Sequence, residues 1–134
     1  MALPDILTST IALVRDRRVL MVTARGRGVY FMPGGKIDPG ETPAQAAARE
    51  AHEEVALELD PAALEHLFEV AVQAHGEPEG RLVRMHVFRA FTDEEPVPSA
   101  EVEAIHWVAS GDVDRCPPAG AEVLQRLAAA GLID

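Results

Sequence analysis

Glu50, Glu53 and Glu54 lie within five residues of one another beside Arg49, with Glu41 a little upstream. On a helix, carboxylates at i, i+3 and i+4 repel by roughly 0.2–0.5 kcal/mol per pair, and a plain solvated face usually avoids this by alternating signs. Clustered oxygen donors with no thiolate or spaced histidine ligands among them suit hard cations such as Mg²⁺ or Mn²⁺ and suit zinc poorly. On the face pattern alone three readings stay open: a charged solvated surface, a divalent-cation site and a protein-binding face.

The element that must carry these acids is a helix. Thr42 is a good N-cap, Pro43 suits the first helical position, and Gln45 completes a Thr-x-x-Gln capping box. Ala44, Ala47, Ala48, Ala51 and Val55 recur at spacings of three and four, which predicts a helix from Pro43 to about Val55. At about 100° per residue, Glu53 and Glu54 fall about 60° to one side of Glu50 and about 40° to the other, and the alanine stripe follows at roughly 60–160°. The three carboxylates therefore share a face that borders the buried stripe, at the edge of the contact between helix and sheet.

Around that helix, "TSTIALV" and "VLMVTAR" read as a hairpin broken at "RDRR", and "VYFM" reads as a short strand running into Pro33, Gly34 and Gly35. A short turn follows Pro61. "HLFEVAVQA" and "LVRMHVFRAF" read as a second hairpin about the loop "HGEPEGR", "TDEEPVPSAE" as a surface loop, and "EAIHWV" as a further strand. Val123, Leu124, Leu127 and Ala128 predict a terminal helix that stops near Gly131. Strands interleaved with two helices predict an α/β fold in one domain spanning residues 1–134, a mixed central sheet with helices packed on both faces.

At 134 residues, 48% of them hydrophobic and 25% charged, the chain has the make-up of an ordinary soluble domain, without a low-complexity tract or internal repeat. No apolar run approaches the roughly 18 residues of a membrane span, and "MALPDILTST" does not read as a signal peptide, so no membrane association and a cytoplasmic location are expected. A lone Cys116 forms no internal disulfide and reads as a buried or incidental thiol. The net charge of −10 argues against stable nucleic-acid binding. A small anionic substrate is still compatible, provided that arginines or metal ions bring positive charge to it locally.

Gly35, Glu41 and the run "REAHEEVAL" fall at the spacing Gly-x5-Glu-x7-Arg-Glu-U-x-Glu-Glu-x-Gly-U, with U aliphatic. The segment Gly35–Leu57 thus resembles the signature of the Nudix hydrolases. Gly35, Glu41, Arg49, Glu50, Glu53 and Glu54 all match, and the flanking elements are similar to those of MutT-like members. Two positions depart from the pattern: Ala56 stands where the last glycine belongs, and the aliphatic position after Arg-Glu is the small Ala51. Neither position supplies a ligand, and Ala56 is strained if it must adopt positive φ.

The resemblance implies a Nudix-like α/β/α sandwich. It also implies a Mg²⁺-dependent pyrophosphohydrolase, with Mn²⁺ as an alternative metal, that cleaves a nucleoside diphosphate linked to a further group. Glu50, Glu53 and Glu54 would bind the metal ions, with the Gly34 carbonyl as a further ligand, while Arg49 and Glu41 pair to orient them. Three neighbouring carboxylates resist full ionisation without metal, so one should hold its proton more tightly. Glu50 is the candidate proton acceptor, and water activated by the metal alone is the competing account. The favoured substrate is a nucleoside triphosphate, oxidised or not. The alternatives are ADP-ribose, a dinucleoside polyphosphate, or a non-catalytic nucleotide-sensing role. The proline and tyrosine that mark the two rival hydrolase classes are missing at their expected places, where Val72 and Gln73 stand and Pro78 comes later; the only tyrosine is Tyr30. Arg25, Arg27, Phe31, Arg84 and His86 are candidate substrate contacts, as are Tyr30 and Phe88, and Glu101 and Glu103 are candidates for a further acid. The partner is a small nucleotide, and the protein a monomer or homodimer.

Overall fold

The computed structural model describes residues 3–134. Strands β1 (Ile6–Arg15) and β2 (Arg18–Ala24) pair only beside their turn, Val14 with Val19 and Arg15 with Arg18. Asp16 and Arg17 make that turn at φ 50° and 60°, the left-handed pair that a two-residue hairpin requires. Below it the strands part and a different segment fills the gap. The N–H of Ile11 donates to the Pro33 carbonyl, and Val22 and Phe31 exchange backbone hydrogen bonds. Strand β3 (Gly34–Lys36) then lies antiparallel to β1, with Gly34 opposite Thr10 and Gly35 opposite Ser9.

The expected hairpin is thus real but splayed, and the expected strand at "VYFM" is displaced onto the glycines, leaving one isolated bridge at Phe31. Local propensity points the other way, since glycine is a poor strand former. Steric space decides it. A Cβ on Gly34 would stand 2.3 Å from the Ser9 carbonyl oxygen, so only glycine lets the two backbones pair there.

The other edge of β1 runs parallel to β5 (Leu82–Ala90), from Ile6 opposite Val83 to Leu13 opposite Ala90. Strand β4 (Glu65–Gln73) pairs antiparallel with β5, and β6 (Val102–Val108) with β2. The result is a six-stranded mixed sheet in the order β4-β5-β1-β2-β6, with β3 beside β1.

Alternation along the strands builds two cores. Ile11, Leu13, Leu20 and Val22 face helix α1 (Pro43–Val55) and pack with Ala47, Ala51 and Val55. Ala12, Val19 and Met21 face α2 (Pro118–Ala129) and pack with Val123, Leu124 and Leu127. The α/β/α layering expected from the sequence is therefore present. Both hairpin partners fall close to their expected bounds, as does the turn at Pro61–Ala63. A further 3₁₀ segment, Ser110–Arg115, was not anticipated. No helix among the described residues is long and apolar enough to cross a membrane.

Candidate active site

Helix α1 begins as its sequence requires. The Thr42 hydroxyl accepts from the Gln45 N–H at 3.1 Å, and the Gln45 side chain accepts from the Thr42 N–H at 2.9 Å. The Ser9 hydroxyl donates to the Pro43 carbonyl at 2.6 Å and ties this end to β1. The far end closes through Ala56, which is left-handed at φ 57° and ψ 31°. Its N–H donates to the His52 carbonyl and that of Leu57 to the Ala51 carbonyl, a left-handed cap built on alanine instead of glycine. Loop residues Val97 and Ser99 donate to the exposed carbonyls of Val55 and Glu54, both at 2.9 Å. Both ends of the acidic helix are fixed.

Arg49 organises the acids. Its Nε and Nη2 donate to the two oxygens of Glu41 at 2.7 and 2.9 Å, Nη1 donates to Glu50 Oε1 at 2.9 Å and to Glu53 Oε1 at 3.4 Å, and Nη2 also reaches the Lys36 carbonyl at 3.1 Å. Asp38 lies within 3.4 Å of the same guanidinium, and its backbone N–H donates to Glu41 at 2.8 Å. The guanidinium fork, together with that backbone donor, holds the Glu41 carboxyl down at about 2. Glu41 is therefore ionised at any neutral pH. The arginine is correspondingly pinned in its charged form.

Glu53 is the most exposed of the three helical acids, and Glu50 and Glu54 are both partly buried. Glu53 is half exposed at 51% of its side chain, and Glu50 is 16% exposed. Glu54, next to the buried stripe, accepts from the Gly34 N–H at 3.0 Å. Burial first, then the charges of Glu50 and Glu53, raise the Glu54 carboxyl to about 7 against the opposing pull of the Gly34 N–H. The tightly held proton expected of one of the three acids thus belongs to Glu54, and the reason is tertiary: the β3 backbone covers this carboxyl. Gly35 packs against Glu50 so closely that a Cβ there would sit 2.6 Å from Oε1.

Beyond the glycines lies a cavity of about 490 Å³, and Gly34, Gly35 and Glu54 form part of its wall. Phe31 and Arg27 line it, as do Tyr30 and Glu101. Arg25 is exposed and does not; its N–H donates to the Glu101 carbonyl. Arg84 and His86 are not brought to the site. They project from β5 on the α1 side of the sheet, where Arg84 pairs with Asp5 and Glu69 and His86 bonds His66 at 3.0 Å. Phe88 shares their face, within the α1 core. Val83 and Met85, one residue out of step, line the cavity instead. Strict alternation makes the choice binary, and reading the polar residues as ligand contacts selected the wrong parity. Glu103 is exposed on β6. Asp38 and the Lys36 carbonyl were not foreseen as Arg49 partners, and no local pattern marks them. The Cys116 thiol is half-buried and pushed up to about 11, chiefly by burial, in keeping with an inert role.

The donor set is oxygen only, which fits a hard divalent cation. The raised proton affinity of Glu54 reflects burial first and the charges of Glu50 and Glu53 after it. Yet no group of three or more acidic, histidine or cysteine side chains among the described residues stands ready-made as a metal cage. Arg49 occupies one oxygen each of Glu50 and Glu53, and Gly34 occupies one of Glu54. The residues fit such an ion in kind, since each of these carboxylates keeps its second oxygen outside these bonds.

Known proteins agree with this architecture. A NUDIX domain profile matches residues 6–127. Over 115 residues the chain is 35% identical to a Danio rerio protein named oxidized purine nucleoside triphosphate hydrolase, spanning 83% of this chain and 69% of that one. A solved nudix hydrolase family member from Chromobacterium violaceum aligns at a TM-score of 0.76 with 26% identity, over 96% of this chain and 80% of the other. A MutT NUDIX hydrolase from Burkholderia pseudomallei aligns at 0.72 with 25% identity, over 93% and 98%.

Proposed function

The chain belongs to the Nudix family and is a Nudix pyrophosphohydrolase, and from that premise we propose that it hydrolyses nucleoside triphosphates, oxidised or not, with Mg²⁺ as its activating ion. The observation that carries this reading is the meeting of the acidic helix and the cavity at Gly34, where the Glu54 carboxyl and the glycine backbone share one wall. A nucleotide has the same two-part chemistry, an apolar ring at one end and concentrated anionic oxygen at the other. The name carried by the Danio rerio relative points to the same substrate class.

The residues divide the work. Arg49 and Glu41 form a rigid ion pair that sets the azimuth of Glu50 and Glu53. Glu50, Glu53, Glu54 and the Gly34 carbonyl would hold the cation. When bound, it supplies the positive charge that a protein of net charge −10 lacks for a pyrophosphate, and it acidifies an attacking water. Without the cation, Glu54 holds or releases a proton near neutrality at the cavity wall. Arg27 stands at the rim as a charge-assisted donor for terminal phosphate oxygens.

The test is a panel of nucleoside triphosphates, ADP-ribose and dinucleoside polyphosphates assayed with Mg²⁺ and Mn²⁺, with products identified by mass. Metal-dependent release of pyrophosphate or phosphate from triphosphates is expected. Cleavage of ADP-ribose alone, or of nothing in the panel, would defeat the assignment.

A further inference from the structure

Resting on the reading that this site takes a nucleoside triphosphate, we propose that the cavity holds the base chiefly by shape and apolar contact, so that the base's hydrogen-bonding edge contributes little to substrate choice. The floor is a cross-strand row in register, Ile6 on β1, Val83 on β5 and Val72 on β4, with Met85 beside it. Strand β5 is paired along both edges, to β1 and β4, so its backbone donors and acceptors belong to the sheet.

The facing wall is the start of α2. Pro117 and Pro118 stand there in succession and offer no N–H, which removes two donors that a helix beginning would otherwise present. Ala119 and Gly120 follow without polar side-chain atoms, and their two N–H groups are the donors left at this helix start.

The polar side chains that line the cavity are engaged or peripheral. The Thr8 and Thr10 hydroxyls donate to the carbonyls of Arg84 at 3.5 Å and His86 at 3.2 Å. The Gln73 amide is consumed by its own loop, donating to the carbonyls of Ala74, Glu77 and Pro78 and accepting from the Gly80 N–H. Arg27, His75 and Glu101 are exposed at the rim. Glu54 belongs to the acidic site, where its Oε1 accepts from the Gly34 N–H, and Tyr30 is the exception. Its ring is held between the His106 ring and the Arg115 guanidinium, each at 4.6 Å, and no side chain among the described residues bonds its hydroxyl.

A site built to bond a polar edge rejects an analogue lacking that group by about 10⁴–10⁵, whereas an apolar pocket discriminates by only about 10² or less. Oxidation at C8 of a purine adds a carbonyl and an N–H. The apolar floor offers neither group a partner.

The experiment compares kcat/KM of the wild-type enzyme for dGTP, 8-oxo-dGTP, dATP and the triphosphate of unsubstituted purine, a base without exocyclic groups. In parallel, binding of uncleavable methylene-bridged analogues of the same four is measured by displacement of a fluorescent nucleotide. Values within about a hundredfold across the panel are expected, and Tyr30→Phe should leave the relative order within that span. A spread beyond about a hundredfold, or a preference abolished selectively by Tyr30→Phe, would overturn the proposal. If the analogues bind but no triphosphate is cleaved, the catalytic assignment fails while the binding series still decides this one. Absence of binding by all four overturns both.

Discussion

The backbone N–H of Gly34 donates to Glu54 Oε1 at 3.0 Å, joining a glycine of β3 to the last acid of α1. This bond is the seam between the acidic helix and the cavity. It also explains why Glu54 is partly shielded from solvent, and why the effect of its charge on the protein depends on pH.

Without metal, the Glu54 carboxyl titrates at about 7, above its ordinary value of 4.5. For an acid raised in this way, the folded state binds its proton more tightly than the unfolded state. The associated stability is fully present below about pH 4.5 and is lost as pH rises through about 7. Denaturant melts of metal-free protein should show this decline, and Glu54→Gln should flatten it. A variant whose stability still fell in step with wild type over that window would contradict the assignment to Glu54.

Cation binding favours the ionised carboxylate, so Mg²⁺ uptake near pH 6 should expel a proton and near pH 9 should expel almost none. Calorimetry in buffers of differing ionisation enthalpy reads this directly. An apparent binding enthalpy independent of buffer at pH 6 would be the contrary result. Chelation of the metal should abolish turnover and restore the pH-dependent melts.

Gly35→Ala should lower kcat/KM by about a hundredfold, because the new Cβ would lie 2.6 Å from Glu50 Oε1 and must push that carboxylate aside. Glu50 is a side chain and can yield, so the fold should survive. Gly34→Ala meets the Ser9 backbone and should instead destabilise the protein outright. Circular dichroism melts alongside steady-state kinetics separate the two effects.

Arg49→Lys should reduce activity or metal affinity by about 10–100-fold, as expected when the support of a ligand shell is lost. Lysine cannot reproduce the fork that grips both oxygens of Glu41 while reaching Glu50 and Glu53. Near-normal rates in Arg49→Lys would show that charge alone, without the fork, suffices.

Ala56→Gly should stabilise the protein by about 1 kcal/mol, since residue 56 sits at φ 57° and a Cβ is penalised there. A melting temperature that fell in this variant would show that neighbouring contacts outweigh the backbone strain.

Much of this site was legible in the sequence because it rests on local rules. Thr42, Pro43 and Gln45 specify where α1 begins, the alanine stripe specifies which face is buried, and helical geometry ranks Glu54 nearest that face and Glu53 farthest among the three acids. The pairing of Arg49 with Glu41 was also anticipated, from the resemblance of the motif to a known signature.

Other features depended on contacts between distant segments. Strand β3 falls on Gly34 because β1 approaches too closely for any side chain there, which strand propensity does not encode. Arg84 and His86 lie on the far side of β5 because register, a relation between strands, assigned Val83 and Met85 to the cavity. The sequence by itself determined which acids are present and on which helix face. Only the folded backbone decided which of them is desolvated, because burial depends on what the rest of the chain places over it.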